Sequence, residues 1–295
     1  MTAREPIGVI GLGLIGTSLA QRLLQAGFPV AGFDIAVERR DNLARLGGVA
    51  CASAKEVGER CKTIVLAVFN TDQVEAVLEA SDGAHLGSEH TVICTSTCDP
   101  DRIEALAARV AKRDIHFLEA PLSGNSDQIA KGNGIALVGG ERATMDSAMP
   151  VLNALCKQSY YLGPAGSGGR AKLAVNLVGG LNRAVMAEGL AFAEAMGLEL
   201  VPLLEVLKGS AAYSRTMDNR GLKMINSDYA PHAWLTQSMK DFTLMHEVAA
   251  RVGQELPLAA QYVQIVESCI AHGEGQLDNS VVMQEMRRRR KPPQS

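Results

Sequence analysis

The chain has 295 residues, of which 47% are hydrophobic and 21% charged, and a formal net charge of −3. That length supports a full core and two domains, and the near-neutral balance gives no electrostatic case for nucleic acid as a main partner. No uninterrupted apolar stretch approaches the roughly 20 residues that cross a bilayer. The polar opening residues, and the glycines that soon break the apolar run from Ile7, do not read as an export signal. A cytoplasmic protein with no membrane partner is expected.

In chain order, the first half alternates strand-like and helix-like patterns. Ile7–Ile10 is a short buried strand, and Thr17–Ala26 a helix closed by Gly27. Val30–Phe33 is a second strand and Val37–Leu46 a second helix, ended by Gly47 and Gly48. Thr63–Val68 is the clearest buried strand. Asp72–Leu78 reads as a helix, with Thr71 or Asp72 placed to cap it. Strands Thr91–Cys94 and Ile115–Leu118 flank a helix over Pro100–Ala111, and Ile135–Val138 and Ser159–Leu162 complete the series. This alternation predicts an α/β, doubly wound parallel sheet of the Rossmann type.

The glycine-rich run Gly163–Gly169 is the strongest punctuation in the chain, and strand signals vanish beyond it. The predicted domains are a dinucleotide-binding unit over 1–164 and an all-α unit over 165–295. The second opens on a long central helix, Arg170–Met196, that is apolar nearly all round. Such a helix is expected to be buried on every side, as the axis of a helical domain or in a subunit interface. A homodimer or homotetramer is therefore expected. Further helices are read over Pro202–Leu207, Ser214–Ile225, Leu235–Val252 and Pro257–Ala271. The basic run Arg287–Lys291, followed by two prolines, reads as a frayed, solvated tail.

The six cysteines, Cys51, Cys61, Cys94, Cys98, Cys156 and Cys269, have no zinc-ligand spacing. Reduced, mostly buried thiols are expected, and no metal.

Gly11-Leu12-Gly13-Leu14-Ile15-Gly16 follows one strand and opens a helix. The first glycine permits a tight turn, the second lets the backbone approach a pyrophosphate, and the third allows close helix–strand packing. Amides at the helix start then face the phosphates. Asp34, at the end of the next strand, is placed to bond the ribose hydroxyls of NAD and to repel the extra phosphate of NADP. Arg39 and Arg40 could reach that phosphate if the loop folded back, so NADP stays as the second choice. Val68, Asn70 and Thr97 follow further strands at their carboxyl ends, where open sheets bind ligands.

Lys172 and Asn176 lie i and i+4 behind the glycine-rich entry, which sets an amine and an amide on one face of a helix. Glu119-Ala120-Pro121-Leu122-Ser123-Gly124-Asn125 read alone is an ordinary turn, although its free amides suit a carboxylate.

Together these segments identify a resemblance. GLGLIG at 11–16, Ser96-Thr97 before Pro100, Ala120-Pro121-Leu122-Ser123-Gly124, the Gly166 to Asn176 run and Lys240-Asp241 resemble, in order and spacing, the β-hydroxyacid dehydrogenase family. That family includes 3-hydroxyisobutyrate, tartronate-semialdehyde and threonate dehydrogenases. The resemblance implies Lys172 as catalytic acid/base and Ser123, Gly124 and Asn176 as substrate-holding residues, with Lys240 beside cofactor and substrate. Asn125 stands where the family usually has a second glycine, and it adds an amide to the substrate loop. Cys94 stands where an aspartate is common, and Arg215 where a tryptophan often follows the serine matching Ser214.

The reaction so implied moves a hydride between a small 3-hydroxy acid and NAD. A free lysine, with a pKa of about 10.4, is a poor base at neutral pH; burial and a cationic neighbour would bring Lys172 into range. Asn125, Gln128 and Arg215 favour a polar, hydroxylated acid. Oxidative decarboxylation of a phosphorylated sugar acid is the weaker reading, because the related 6-phosphogluconate dehydrogenases carry a histidine where this chain has Val175. A semialdehyde or imine reductase, or a non-catalytic dinucleotide-binding scaffold, completes the alternatives.

Overall fold

The computed structural model describes residues 4–291. The first compact unit ends at Leu173 and the second begins at Ala174, so the division falls inside one helix.

The first unit begins with β1 (Ile7–Ile10), α1 (Leu14–Gln25), β2 (Val30–Phe33), α2 (Val37–Arg45), β3 (Val49–Ala50), α3 (Ala54–Arg60) and β4 (Thr63–Leu66). It continues with α4 (Thr71–Glu79), β5 (Thr91–Cys94), α5 (Pro100–Ala111), β6 (His116–Glu119), β7 (Leu122–Ser123), α6 (Ser126–Ala130), β8 (Ile135–Gly140), α7 (Arg142–Leu155) and β9 (Gln158–Gly163). The strands form one sheet in the order β3-β2-β1-β4-β5-β6-β8-β7, with β9 paired to β8. From β3 to β6 every pairing is parallel, whereas β8 runs antiparallel to β6 and β7. The sheet is thus doubly wound as expected but mixed at one end. The physical reason is the short β6–β7–α6–β8 path, which has no helix long enough for a parallel crossover.

Strand residues alternate between two buried layers. Val9, Val65, Ile93 and Leu118 pack with Leu19 and Leu23 of α1 and Val151 and Leu152 of α7. Ile10, Leu66, Val92 and Phe117 pack with Val57, Val74, Ile103 and Leu106 of α3 to α5. Burial on both faces explains the continuous apolar runs. All six cysteines are buried free thiols, and burial pushes Cys61 up to about 11.

Several elements lack a sequence signal. β3 is two residues long and α6 only five; α3 and α7 were not anticipated either. Asn70, rather than Thr71 or Asp72, caps α4, accepting from the Gln73 amide at 3.0 Å. Thr71 instead bonds the Asp99 amide at 2.9 Å.

The helix α8 (Ser167–Ala195) begins in the first unit and continues into the second. The second unit adds α9 (Leu200–Gly209), α10 (Arg215–Ile225), α11 (Leu235–Arg251), α12 (Pro257–Ala271), a 3-10 turn at Asn279–Val281 and α13 (Val282–Arg288). Phe242 and Tyr262 meet at a tilt of 53°, 4.5 Å between ring centroids, and Gly180 leaves room for the Phe242 ring. Beside them, fully buried Asp278 pairs with Arg220 at 3.4 Å and accepts from the amides of His232 and Ser280.

Within the single chain α8 is not buried all round: Val178, Val185 and Phe192 are more than half exposed, which leaves the subunit-interface alternative for this helix. The expectation of a solvated tail is corrected for Arg287 to Arg289, because Arg287 bonds Glu194 through two nitrogens, Arg288 bonds Glu274 likewise, and Arg289 bonds Glu285, whereas Arg290 and Lys291 are exposed. Carboxylates supplied by α8, the α12–α13 connection and α13 itself turn the cluster into a docked helix end, where cations also suit the helix dipole. No helix among the described residues is long and apolar enough to cross a membrane.

Candidate active site

The site in the first unit is built at the carboxyl ends of level strands. Ile10, Phe33, Leu66, Cys94 and Glu119 are register partners across β2, β1, β4, β5 and β6, so the loops that follow emerge side by side. In an open sheet this row, with its change of winding direction between β1 and β4, is where ligands bind.

Gly11 has φ +91°, which a side chain rarely tolerates, and a Cβ there would lie 2.6 Å from the Ala67 carbonyl oxygen. A Cβ on Gly16 would lie 1.8 Å from the Gly11 carbonyl oxygen, so the turn closes only with glycine. At Gly13 a Cβ would approach nothing nearer than Arg39 at 4.0 Å. Gly13 also starts α1 without any side-chain cap, which leaves the first-turn amides of Leu14, Ile15 and Gly16 to be met by something else. An open approach and uncapped amides fit a pyrophosphate.

Asp34 is buried beside this turn. Its carboxylate accepts from the Leu12 amide at 2.7 Å and the Ala36 amide at 2.9 Å, and Arg39 approaches it to 3.3 Å. Arg40 bonds the Asp34 carbonyl oxygen and lies over the Phe33 ring. The acidic residue and the two arginines that sequence reading set in competition are therefore one cluster. Val68 accepts from the Ser96 hydroxyl at 2.7 Å, Asn70 caps α4, and Thr97 lies half-buried in the β5–α5 loop.

At the other end of the row, Lys172 is buried, 7% exposed, and donates to the Leu122 carbonyl at 2.6 Å. Leu122 immediately precedes Ser123 and Gly124, so the structure brings Lys172 to the same short segment. Asn125 also caps α6, accepting from the Gln128 amide at 2.8 Å while Gln128 accepts from the Asn125 amide at 3.0 Å. Both donors are backbone N–H groups, so each side chain presents its oxygen to the helix start.

The helical unit holds a second group. Asn176, one turn beyond Lys172 on α8, donates to Asp241 at 2.9 Å, and Lys240 pairs with the same carboxylate at 2.9 Å. Arg215 is exposed in the first turn of α10. Sequence reasoning gave no role to Asp241 or Glu119. Asp241 occupies a buried position in the stripe Leu235, Ser238, Asp241, Phe242, Met245 of α11, and a carboxylate in an apolar stripe was the available signal. Glu119 ends an otherwise buried apolar strand in the same way.

Comparison with known proteins agrees with this geometry. Residues 6–163 match the family described as the NAD-binding domain of 6-phosphogluconate dehydrogenase, and residues 166–286 match the NAD-binding region of NADP-dependent 3-hydroxyisobutyrate dehydrogenase. The L-threonate dehydrogenase of Cupriavidus necator is 34% identical over 280 residues, 94% of each chain. The chain belongs to the β-hydroxyacid dehydrogenase family. Within it, the 2-hydroxy-3-oxopropionate reductase of Escherichia coli is 30% identical over 95% of this chain and 96% of its own. A crystal structure of a 3-hydroxyisobutyrate dehydrogenase from Salmonella typhimurium superposes with a TM-score of 0.86, at 28% identity, over 95% of this chain and 99% of that one. This β-hydroxyacid dehydrogenase is a hydride-transfer oxidoreductase with a nicotinamide-dinucleotide-binding unit followed by a helical unit.

Proposed function

We propose that the chain interconverts a small, hydroxylated 3-hydroxy acid and its oxo acid, with NAD as hydride carrier and Lys172 as the proton-handling group. The observation that carries this reading is the buried Lys172 amine, 2.6 Å from the carbonyl of Leu122 and so beside Ser123 and Gly124. A dinucleotide held by Gly11 to Gly16, Asp34, Val68, Asn70, Thr97 and Lys240 supplies the hydride acceptor when bound.

The chain's own residues do the rest. The Lys172 amine donates to the Leu122 carbonyl, which fixes where it sits, and in this reading it takes up the hydroxyl proton of the substrate. Ser123 and Gly124 hold the substrate carboxylate. Asn176 is oriented by Asp241, an acceptor only, so its own oxygen is left to receive a hydrogen bond. Its contribution is alignment of the reacting oxygen with Lys172.

The polar side chains of Asn125 and Gln128, next in sequence to Ser123 and Gly124, support an oxygen-rich substrate, because a site with such groups penalises a purely aliphatic ligand. The L-threonate dehydrogenase relative points the same way. NAD over NADP is supported by the acidic Asp34 at the end of β2, since a carboxylate there bonds ribose hydroxyls and repels a 2′-phosphate.

A spectrophotometric screen of threonate, glycerate and 3-hydroxyisobutyrate with both cofactors tests the substrate reading. The hydroxylated acids with NAD are expected to give the highest kcat/KM. Lys172→Ala is expected to lose roughly 10²- to 10⁴-fold in kcat while still binding NAD; near-normal turnover would refute the role given to Lys172. We also place a homodimer or homotetramer interface on the exposed α8 row, Val178, Val185 and Phe192, spaced seven residues apart. Val185→Glu should then dissociate the assembly in sedimentation, and a monomeric wild type would end that assignment.

A further inference from the structure

Glu119 has no part in the chemistry described so far, yet it is a buried carboxylate held at both oxygens. It ends β6 and is 3% exposed. Its two oxygens accept from the amides of Gly168 at 2.8 Å and Gly169 at 3.0 Å, in the first turn of α8. A helix leaves these amides without partners of its own. The usual partner is a side chain at the helix start, but here it comes from a strand some fifty residues earlier.

The same segment grips α8 a second time. Three residues after Glu119, the Leu122 carbonyl accepts from Lys172. Glu119–Leu122 therefore fixes both the first turn of α8 and the side chain that the next turn presents. The packing leaves no slack for the helix start. A Cβ on Gly168 would lie 2.4 Å from the Leu137 carbonyl oxygen, and one on Gly139 would lie 2.3 Å from Glu119 Oε1. β6, β8 and α8 meet at backbone contact around the carboxylate.

We propose that Glu119 is a positioning residue for proton transfer: by capping α8 from the sheet, it sets where the Lys172 amine sits over the Ser123–Gly124 loop. This rests on the reading of Lys172 as the proton-handling group. The two amides are met by different oxygens, Oε1 for Gly168 and Oε2 for Gly169, so both ends of the side chain act as acceptors, which a carboxylate offers and a carboxamide does not. Glutamine keeps the shape but turns an NH2 towards one of the amides. The helix start then moves away, and Lys172 moves with it. A displacement of about an ångström at a reacting group can cost on the order of 100-fold in rate.

The test is Glu119→Gln in the full chain, with kcat, both KM values and the NAD dissociation constant measured, and the same change made in a Lys172→Ala background with methylamine supplied as an external base. The expected result is a fall in kcat of about 10- to 100-fold, with both KM values and NAD affinity within about threefold. In the Lys172→Ala background the change should cost nothing further, because a diffusing amine is not placed by α8. An unchanged kcat, a loss confined to KM, or an equal loss in both backgrounds overturns the proposal. Near-normal turnover in Lys172→Ala alone refutes the reading of Lys172 instead, so the two failures are distinct. If Glu119→Gln does not fold, Glu119→Asp, which keeps both oxygens one methylene further back, is expected to show the same kcat-only loss to a smaller degree. An unchanged kcat there overturns the proposal equally.

Discussion

The side-chain amide of Asn176 donates to the carboxylate of Asp241 at 2.9 Å, and that contact fixes which end of the amide is available for anything else. A carboxylate only accepts, so Asn176 must present its NH2 to Asp241 and its oxygen elsewhere. Asp241 is itself buried and paired with Lys240, which removes its freedom to turn. A residue outside the sequence motif's usual reading thus decides the polarity of one inside it.

Asp241→Ala is expected to lower kcat about tenfold, since the Asn176 amide loses its reference and samples both orientations. Steady-state kinetics beside NAD titration by fluorescence quenching check this. NAD affinity unchanged with kcat reduced is the expected pattern, and unchanged kcat would show that Asn176 needs no orienting partner.

Asp34→Ser is expected to raise the NADP-to-NAD ratio of kcat/KM by about tenfold or more, roughly 1.4 kcal/mol. Arg39 now spends part of its charge on Asp34 at 3.3 Å, and the substitution releases that guanidinium for a 2′-phosphate. A ratio that does not move would mean that the carboxylate does not meet the ribose end of the cofactor.

The helical unit should lose stability in acid. Burial by itself raises the Asp278 carboxyl, but Arg220 and the amides of His232 and Ser280 outweigh it and hold the group below its usual range. Glu285 is likewise lowered: burial opposes the shift, and hydrogen bonds from Arg289, Ser268 and Arg288 overcome it. With folded values below the unfolded ones, their stabilisation is present above the ordinary carboxyl range, about 4, and is lost as pH falls through the depressed values. Glu119, raised by burial, has the opposite sign and cannot cause an acid loss. The melting temperature should therefore hold between about pH 7 and 5 and fall below about 4. Asp278→Asn should flatten that fall while lowering stability at neutral pH by about 3 kcal/mol, because Arg220 is left buried beside a neutral group. An acid limb as steep in the variant as in the wild type would place the titrating groups elsewhere.

Much of the fold was legible because its signals are local. Pro100–Ala111 and Pro257–Ala271 appear with their predicted bounds, each opened by a proline at the first helical position and carrying an apolar period of 3.6 residues. The glycines at 11, 13 and 16 announced the turn: a side chain at Gly11 or Gly16 would collide with backbone, and Gly13 leaves the approach to the helix start open. The two-residue β3 and β7 and five-residue α6 were not legible, because elements so short owe their existence to neighbours rather than to a pattern.

What the sequence determined by itself was the doubly wound sheet, the dinucleotide turn, the helical second half and the spacing of Lys172 from Asn176. Each is written in residues close along the chain. Tertiary structure alone decided the antiparallel β8, the docking of Arg287 onto Glu194, and the partners of Lys172 and Asn176. Those depend on atoms contributed from 50 residues away in Leu122 and 65 in Asp241. Hydrogen bonds act over about 3 Å in space, and no local pattern encodes which distant group will be brought within that reach.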